Sequence, residues 1–187
     1  MLLYYTPDLS QTTAVLSTEE SHHCVKVLRK KAGDTIHITD GKGTLCKARI
    51  VRADRESCGV EVIDSKTDYG KRDFHLHIAI APTKNNTRFE WFLEKATEIG
   101  IDEISPIICV NSERETINRE RIEKLLIGAM KQSERTYLPT LNEPIELNVA
   151  LSNLSTDGNT NNRFIASYED GNDELKNALQ NQTVLLY

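Results

Sequence analysis

The feature that most constrains this chain is a change of pattern near residue 70. Before it, short alternating runs are separated by tight turns, and after it single strands alternate with amphipathic helices. Hairpins close into antiparallel sheets, whereas strand and helix alternation demands crossover connections and parallel pairing. One chain of 187 residues therefore holds two kinds of architecture. The polar, glycine-containing stretch SKTDYGKR, residues 65–72, reads as the linker between them. The expected domains are residues 1–70 and 74–187.

In the first, Ser17-Thr18-Glu19-Glu20 has the form of a capping box. It should open a helix that carries Val25, Val27 and Leu28, with Gly33 able to end it. Thr35 to Thr39 and Leu45 to Val51 alternate as strands about the hairpin turn Asp40-Gly41-Lys42-Gly43, and Val60 to Ile63 supplies another strand. A small, mostly antiparallel β-barrel is the natural closure.

The second stretch starts with a strand over His75 to Ala81. A further capping box, Thr87 to Glu90, should open a helix with Phe89, Phe92, Leu93, Ala96 and Ile99 on its apolar side, ended by Gly100. A strand over Ile104 to Val110 precedes a helix that starts at Asn118 and bears Ile122, Leu125, Leu126, Ala129 and Met130. A loop with Pro139 and Pro144, a polar insertion from Ser152 to Asn162, a strand from Phe164 to Tyr168, a helix from Asn172 to Leu179 and a strand from Thr183 to Leu186 complete the pattern.

No apolar run is long enough for a membrane helix, and MLLYYTPDLS is no signal peptide, so a cytoplasmic protein without a membrane partner is expected. Four scattered cysteines, with no CxxC pair, read as reduced thiols. No metal site is expected: consecutive helical residues such as His22-His23-Cys24 point in different directions. Glycine-rich phosphate loops and G-x-S-x-G elbows are missing, and no G-x-G-x-x-G follows Ile78 to Ala81, which disfavours a dinucleotide-dependent oxidoreductase.

The net charge of −5 hides an asymmetry. Between His22 and Arg52, eight Lys or Arg face two acids, a net of +6, which leaves −11 on the rest. Screening confines surface electrostatics to about 10 Å, so a local basic face can still bind phosphates. In the second stretch a polar constellation stands out: Lys84, Arg88, Lys95, Glu98, Ser112, Glu113, Arg114, Gln132 and Arg135. Lys95 and Glu98 share a helix face three residues apart, as do Gln132 and Arg135, and a surface ion pair accounts for the first couple.

The order of these residues carries more than any one of them. The run FEWFLEKATEIGIDEISP, then NSER, then KQSERTYLP, together with HHCVKVLRKKAGD and its DGKG turn, resembles the RsmE family, the methyltransferases of uridine N3 in small-subunit ribosomal RNA. The resemblance spans the whole chain. It implies a PUA-like RNA-binding β-barrel followed by an α/β domain of the SPOUT (α/β-knot) class, here incomplete. It further implies S-adenosylmethionine as methyl donor, 16S ribosomal RNA of the small subunit as partner, and a homodimer for the complete enzyme. The donor site is expected in a GPEGG-like loop directly after the strand ending VLLY, past Tyr187.

Methylation at uridine N3 needs an extruded base and groups that stabilise its anion. Arg114, Gln132 and Arg135 are the expected catalytic residues on the target-nucleotide side. Lys26, Arg29, Lys30, Lys31, Lys42, Lys84 and Arg88 are the expected RNA contacts, and a non-catalytic RNA-binding fragment is the alternative.

Overall fold

The computed structural model describes residues 1–10, 12–156, 163–164 and 185–186. They fall into two compact units: Met1–Lys71 with Ile127–Leu138, and Arg72–Leu126 with Pro139–Tyr187. The first change of unit lies at 71/72, inside the polar linker. Residues 127–138 were read from sequence as part of the domain at 74–187, yet they join the first unit.

The first unit is a five-stranded sheet in the order β1-β3-β4-β5-β2. Its strands are β1 (Leu3–Tyr5), β2 (Thr13–Val15), β3 (Thr35–Thr39), β4 (Leu45–Arg52) and β5 (Gly59–Lys66). All ladders are antiparallel except β1 with β3. Register shifts at Lys47/Ala48 and Ile50/Arg52 bend β4, and bulges of this kind curl a sheet. The curl brings the two edge strands close enough for Thr6 Oγ1 to donate to the Val15 carbonyl at 3.4 Å. Alternate positions of β3 and β4 point inward, so that Ile36, Ile38, Cys46, Ala48 and Ile50 pack with Tyr4, Leu16 and Val60 in one core.

Helix α1 (Thr18–His22) is capped by Ser17, whose side chain accepts from the Glu20 N–H at 3.2 Å. The reciprocal half of the capping box does not form, because Glu20 instead turns inward and pairs with Lys131. The helix continues as a π turn over His23–Val27, in which the Leu28 N–H reaches the His23 carbonyl at 3.0 Å. A widened turn shifts the residues after it out of the α-helical register. Cys24 is fully buried and Val25 partly so, but Val27 and Leu28 are 57% and 39% exposed. The helix ends at Arg29 (φ 56°) and not, as expected, at Gly33, which turns the chain into β3.

The hairpin turn is held from the far end of the chain. Gly43 (φ 96°) donates to the Thr136 carbonyl at 2.9 Å, and a Cβ at this glycine would lie 2.3 Å from the Tyr137 ring. Leu138 donates to Gly41 at 2.8 Å, and Thr136 Oγ1 donates to the Tyr69 carbonyl at 2.6 Å. These bonds tie residues 136–138 into the first unit.

The second unit is a wholly parallel sheet in the order β10-β11-β6-β7-β8, with β9 also paired to β7. Strands β6 (His77–Ile80) and β7 (Glu103–Ile108) are its middle, β8 (Thr140–Leu141) and β9 (Ile145–Glu146) follow one another along β7, and β10 (Arg163–Phe164) and β11 (Leu185–Leu186) complete it. Helix α2 (Asn86–Ile99) crosses between β6 and β7, and the change of unit falls inside α3 (Arg119–Gln132). Asn85, not Thr87, caps α2: its side chain accepts from the Thr87 N–H at 2.9 Å. Gly100 ends the helix in the left-handed conformation, as expected. Phe89, Leu93 and Ala96 are buried, whereas Ile99, expected on the apolar side, is 69% exposed.

The sequence reading left Ser152 to Asn162 as a polar insertion, but helix α4 (Leu147–Thr156) runs through its first residues. The expected helix Asn172–Leu179 and most of the strands expected at Phe164–Tyr168 and Thr183–Leu186 lie outside the described residues.

A polar network crosses the sheet at β6 and β7. Asn142 Nδ2 donates to Ser105 Oγ at 2.8 Å and to Glu103 Oε1 at 2.6 Å, and Ser105 Oγ lies 2.8 Å from His77 Nε2. A neutral His77 can take the Ser105 proton on Nε2 while the same hydroxyl oxygen accepts from Asn142. Burial, with a further push from His75, holds His77 below its ordinary value against the opposing pull of Glu103. The stability this contributes is complete above about pH 6.5, the unfolded value, and is lost as pH falls from there through the folded value. Melting followed from pH 7.5 to 5 should show that loss, and His77→Gln should flatten it; an unaltered profile would remove His77 as the cause.

Candidate nucleic-acid interface

Six residues after the middle of α1 the chain presents its densest positive charge. Lys26 lies on the π turn, and Arg29, Lys30 and Lys31 follow in the loop that leads to β3. Lys26, Arg29 and Lys31 are exposed and Lys30 half-buried. The backbone there is firmly set. The Lys30 N–H reaches the Cys24 carbonyl at 3.1 Å, one residue wider than the usual cap because the preceding turn is π, and Asp34 accepts from the Lys31 N–H at 2.8 Å. A left-handed arginine costs on the order of 1 kcal/mol, so this geometry is held by its surroundings.

Among the described residues none of these four side chains pairs with an acid. The contrast with the long helices is plain. Lys95 binds Glu94 and Glu98 at 2.9 Å, Arg121 binds Glu90 at 2.8 Å, Arg119 binds Glu123 and Glu143, and Lys131 binds Glu20. Four adjacent, unmatched cations repel one another, and an anion laid against them removes that repulsion.

Lys42, also expected to contact RNA, is exposed at the hairpin turn, where its N–H binds Asp40 at 2.7 Å. Gln132 is exposed at the last position of α3. Arg135 is half-buried beyond it, its N–H on the Met130 carbonyl at 3.0 Å, with Glu134 (φ 57°) as the left-handed cap. Gln132 and Arg135 thus belong to the first unit.

Arg114, Lys84 and Arg88 belong to the second. Arg114 Nε donates to the Lys84 carbonyl at 3.1 Å, Lys84 Nζ binds Glu113 at 3.2 Å, and Arg88 is exposed on α2. A cavity of about 410 Å³ opens beside them, lined among others by Asn86, Phe89, Glu90, Arg114, Asn118 and Arg121. Sequence reasoning named Arg114 but missed Arg121. The signal was its place three residues after Asn118, whose side chain accepts from the Arg121 N–H at 3.1 Å and so caps α3. Lys95, raised by Glu94 and then Glu98, braces α2. No group of His, Cys, Asp or Glu among the described residues could hold a metal ion, and no helix among them is long and apolar enough to cross a membrane.

A curled β module with an unmatched cationic loop is thus followed by a parallel α/β unit. The family described as "RNA methyltransferase domain" matches residues 71–187, and "RNA methyltransferase PUA domain" matches residues 16–63. A probable rRNA-methyltransferase from Porphyromonas gingivalis superposes with a TM-score of 0.88 at 36% identity, covering 100% of this chain and 78% of that one. The ribosomal RNA small subunit methyltransferase E of Neisseria gonorrhoeae, whose structure is bound to S-adenosyl methionine, gives 0.82 at 23% identity with the same coverage. The protein of that name from Bacillus subtilis is 29% identical over 135 residues, 68% of this chain and 52% of that protein. The chain belongs to the RsmE family of RNA methyltransferases, and its α/β unit has the SPOUT fold. It spans about half the length of the curated relatives it matches.

Proposed function

We propose that the full-length protein methylates N3 of a uridine in 16S ribosomal RNA of the small subunit, working in the cytoplasm as a homodimer. The observation that carries this reading is the unmatched cluster Lys26, Arg29, Lys30 and Lys31, on the module whose family is an RNA methyltransferase PUA domain. These cations, with Lys42, would hold the phosphate backbone and position the RNA without reading its sequence. Lys84 and Arg88 of the second unit would add further phosphate contacts.

Arg114, Gln132 and Arg135 are proposed for the target nucleotide. The imide N3 must lose its proton to a base or to water before it can attack a methyl group, and guanidinium and amide N–H donors favour the resulting anion on its two exocyclic carbonyl oxygens. S-adenosylmethionine would supply the methyl group. Among the described residues, the carboxyl ends of β6 and β7 lead into APTKNN and CVNSER, neither of which has the glycine that a close backbone approach to such a donor uses. No contact to the donor is therefore derived, and its binding is proposed for the segment after β11.

The full-length protein should transfer a labelled methyl group from S-adenosylmethionine to small subunits that lack the modification, and digestion should yield 3-methyluridine. Label on another atom would overturn the N3 assignment. RNA binding without any transfer would replace the enzyme by a non-catalytic RNA-binding protein.

A further inference from the structure

The exposed pair Val27 and Leu28 is not used by the reading above. In a regular helix, positions 24, 27 and 28 share a face, and Cys24 is fully buried. The π turn breaks that register and leaves Val27 and Leu28 at 57% and 39% exposure. They are not a frayed end. The Leu28 N–H is bonded to His23, Arg29 caps the turn in the left-handed conformation, and the Lys30 N–H is bonded back to Cys24. Two apolar side chains are thus held out in water, in the middle of four cations that have no acid partner among the described residues.

We propose that Val27 and Leu28 contact the exposed base faces of an unpaired RNA segment whose phosphates lie on Lys26, Arg29, Lys30 and Lys31. The inference rests on the RNA-binding role proposed above and adds which form of RNA is bound. Anionic groups and flat apolar faces alternate along a single strand at the spacing of neighbouring residues, which is what this mixed surface complements. A duplex buries its base faces in the stack and offers the cations only phosphates. The cations supply affinity for any RNA, and the apolar pair supplies the preference for unpaired RNA.

The test uses the full-length protein with a 12-nucleotide oligouridine and a duplex of equal length, titrated at several salt concentrations. Val27→Ser with Leu28→Ser should weaken single-strand binding about tenfold at every salt concentration, leave the salt slope unchanged, and leave duplex binding unaffected, because stacking and apolar contact are not screened. Leu28→Phe should bind the single strand more tightly than the parent. Equal losses on strand and duplex, no loss at all, or a lowered melting temperature of the serine variant, which would show the pair to be core, each overturn the proposal. Arg29→Ala with Lys30→Ala separates the two levels. A shallower salt slope in that variant beside silent serine substitutions sinks only this inference, whereas an unchanged slope sinks the RNA-binding role itself.

Discussion

With Lys26, Arg29, Lys30 and Lys31 all replaced by Ala, affinity of the full-length protein for single-stranded RNA is expected to fall about a hundredfold at 0.2 M salt and more than a thousandfold at 0.05 M. Each phosphate neutralised on a single strand contributes about 0.7 to the slope of log affinity against log salt, so four contacts contribute about 2.8. At 0.2 M that slope corresponds to about two decades, and at 0.05 M to more than three. The side chains to be removed make no ion pair among the described residues, so the variant should melt within about 0.5 kcal/mol of the parent. Fluorescence anisotropy across a salt series reads both quantities. Parallel lines for parent and variant would mean that the cations do not touch phosphates, and would leave the first unit without its proposed role. The size of the effect distinguishes this cluster from a paired surface: Arg49, bound to Glu61 at 2.7 Å, should change the slope less when removed, because its charge is already offset.

What could be read from sequence was whatever depends on near neighbours. Alternation found β3 and β4, the Asp40-Gly41-Lys42-Gly43 run found their turn, and three-to-four spacing found α2 and α3 with Gly100 as a stop. Strands β1 and β2 are three residues each, too short for a periodic signal, and β1 is defined by parallel pairing with β3, some 34 positions away in register. The π turn was hidden for a related reason. Val27 and Leu28 have the spacing of a buried face, and only the widened hydrogen bond from Leu28 to His23 takes them out of it.

The candidate interface divides along the same line. That residues 26–31 hold four cations is a property of the sequence, but that these are unmatched among the described residues follows only from where the carboxylates of their own unit point. Glu20 is a case in point: it lies six residues before Lys26, yet its carboxylate is spent on Lys131 in the interior. Arg121 has one local mark, its place three residues after the capping Asn118; that it lines the cavity depends on where α2 and residues 114–117 come to lie around it.

The Glu20 and Lys131 pair gives the largest expected loss of stability. Glu20 is 7% exposed, and among the described residues neither its second oxygen, Oε2, nor the nearby buried Tyr4 hydroxyl has a hydrogen-bond partner. Burial, then Cys24, then the negative charge of Glu20 all push the Tyr4 hydroxyl upward, and burial also pushes the Cys58 thiol up to about 12, so both stay neutral at ordinary pH. Among the described residues Lys131 is thus the one full positive charge bonded to Glu20, and it comes from the helix segment that joins the first unit. Removing one member of a buried pair strands the other, at about 3 to 5 kcal/mol; with the Lys131 side chain a quarter exposed, the lower end applies. Lys131→Met should therefore cost about 3 kcal/mol in denaturant unfolding. Glu20→Gln added to Lys131→Met removes the stranded charge and should recover most of that loss, so that the double variant is more stable than Lys131→Met alone. If Lys131→Met costs under about 0.5 kcal/mol, Glu20 is solvated or otherwise matched. The segment 127–138 would then be held to the first unit by the remaining contacts, among them those of Thr136 and Leu138 and the pairing of Glu134 with the Met1 amino group.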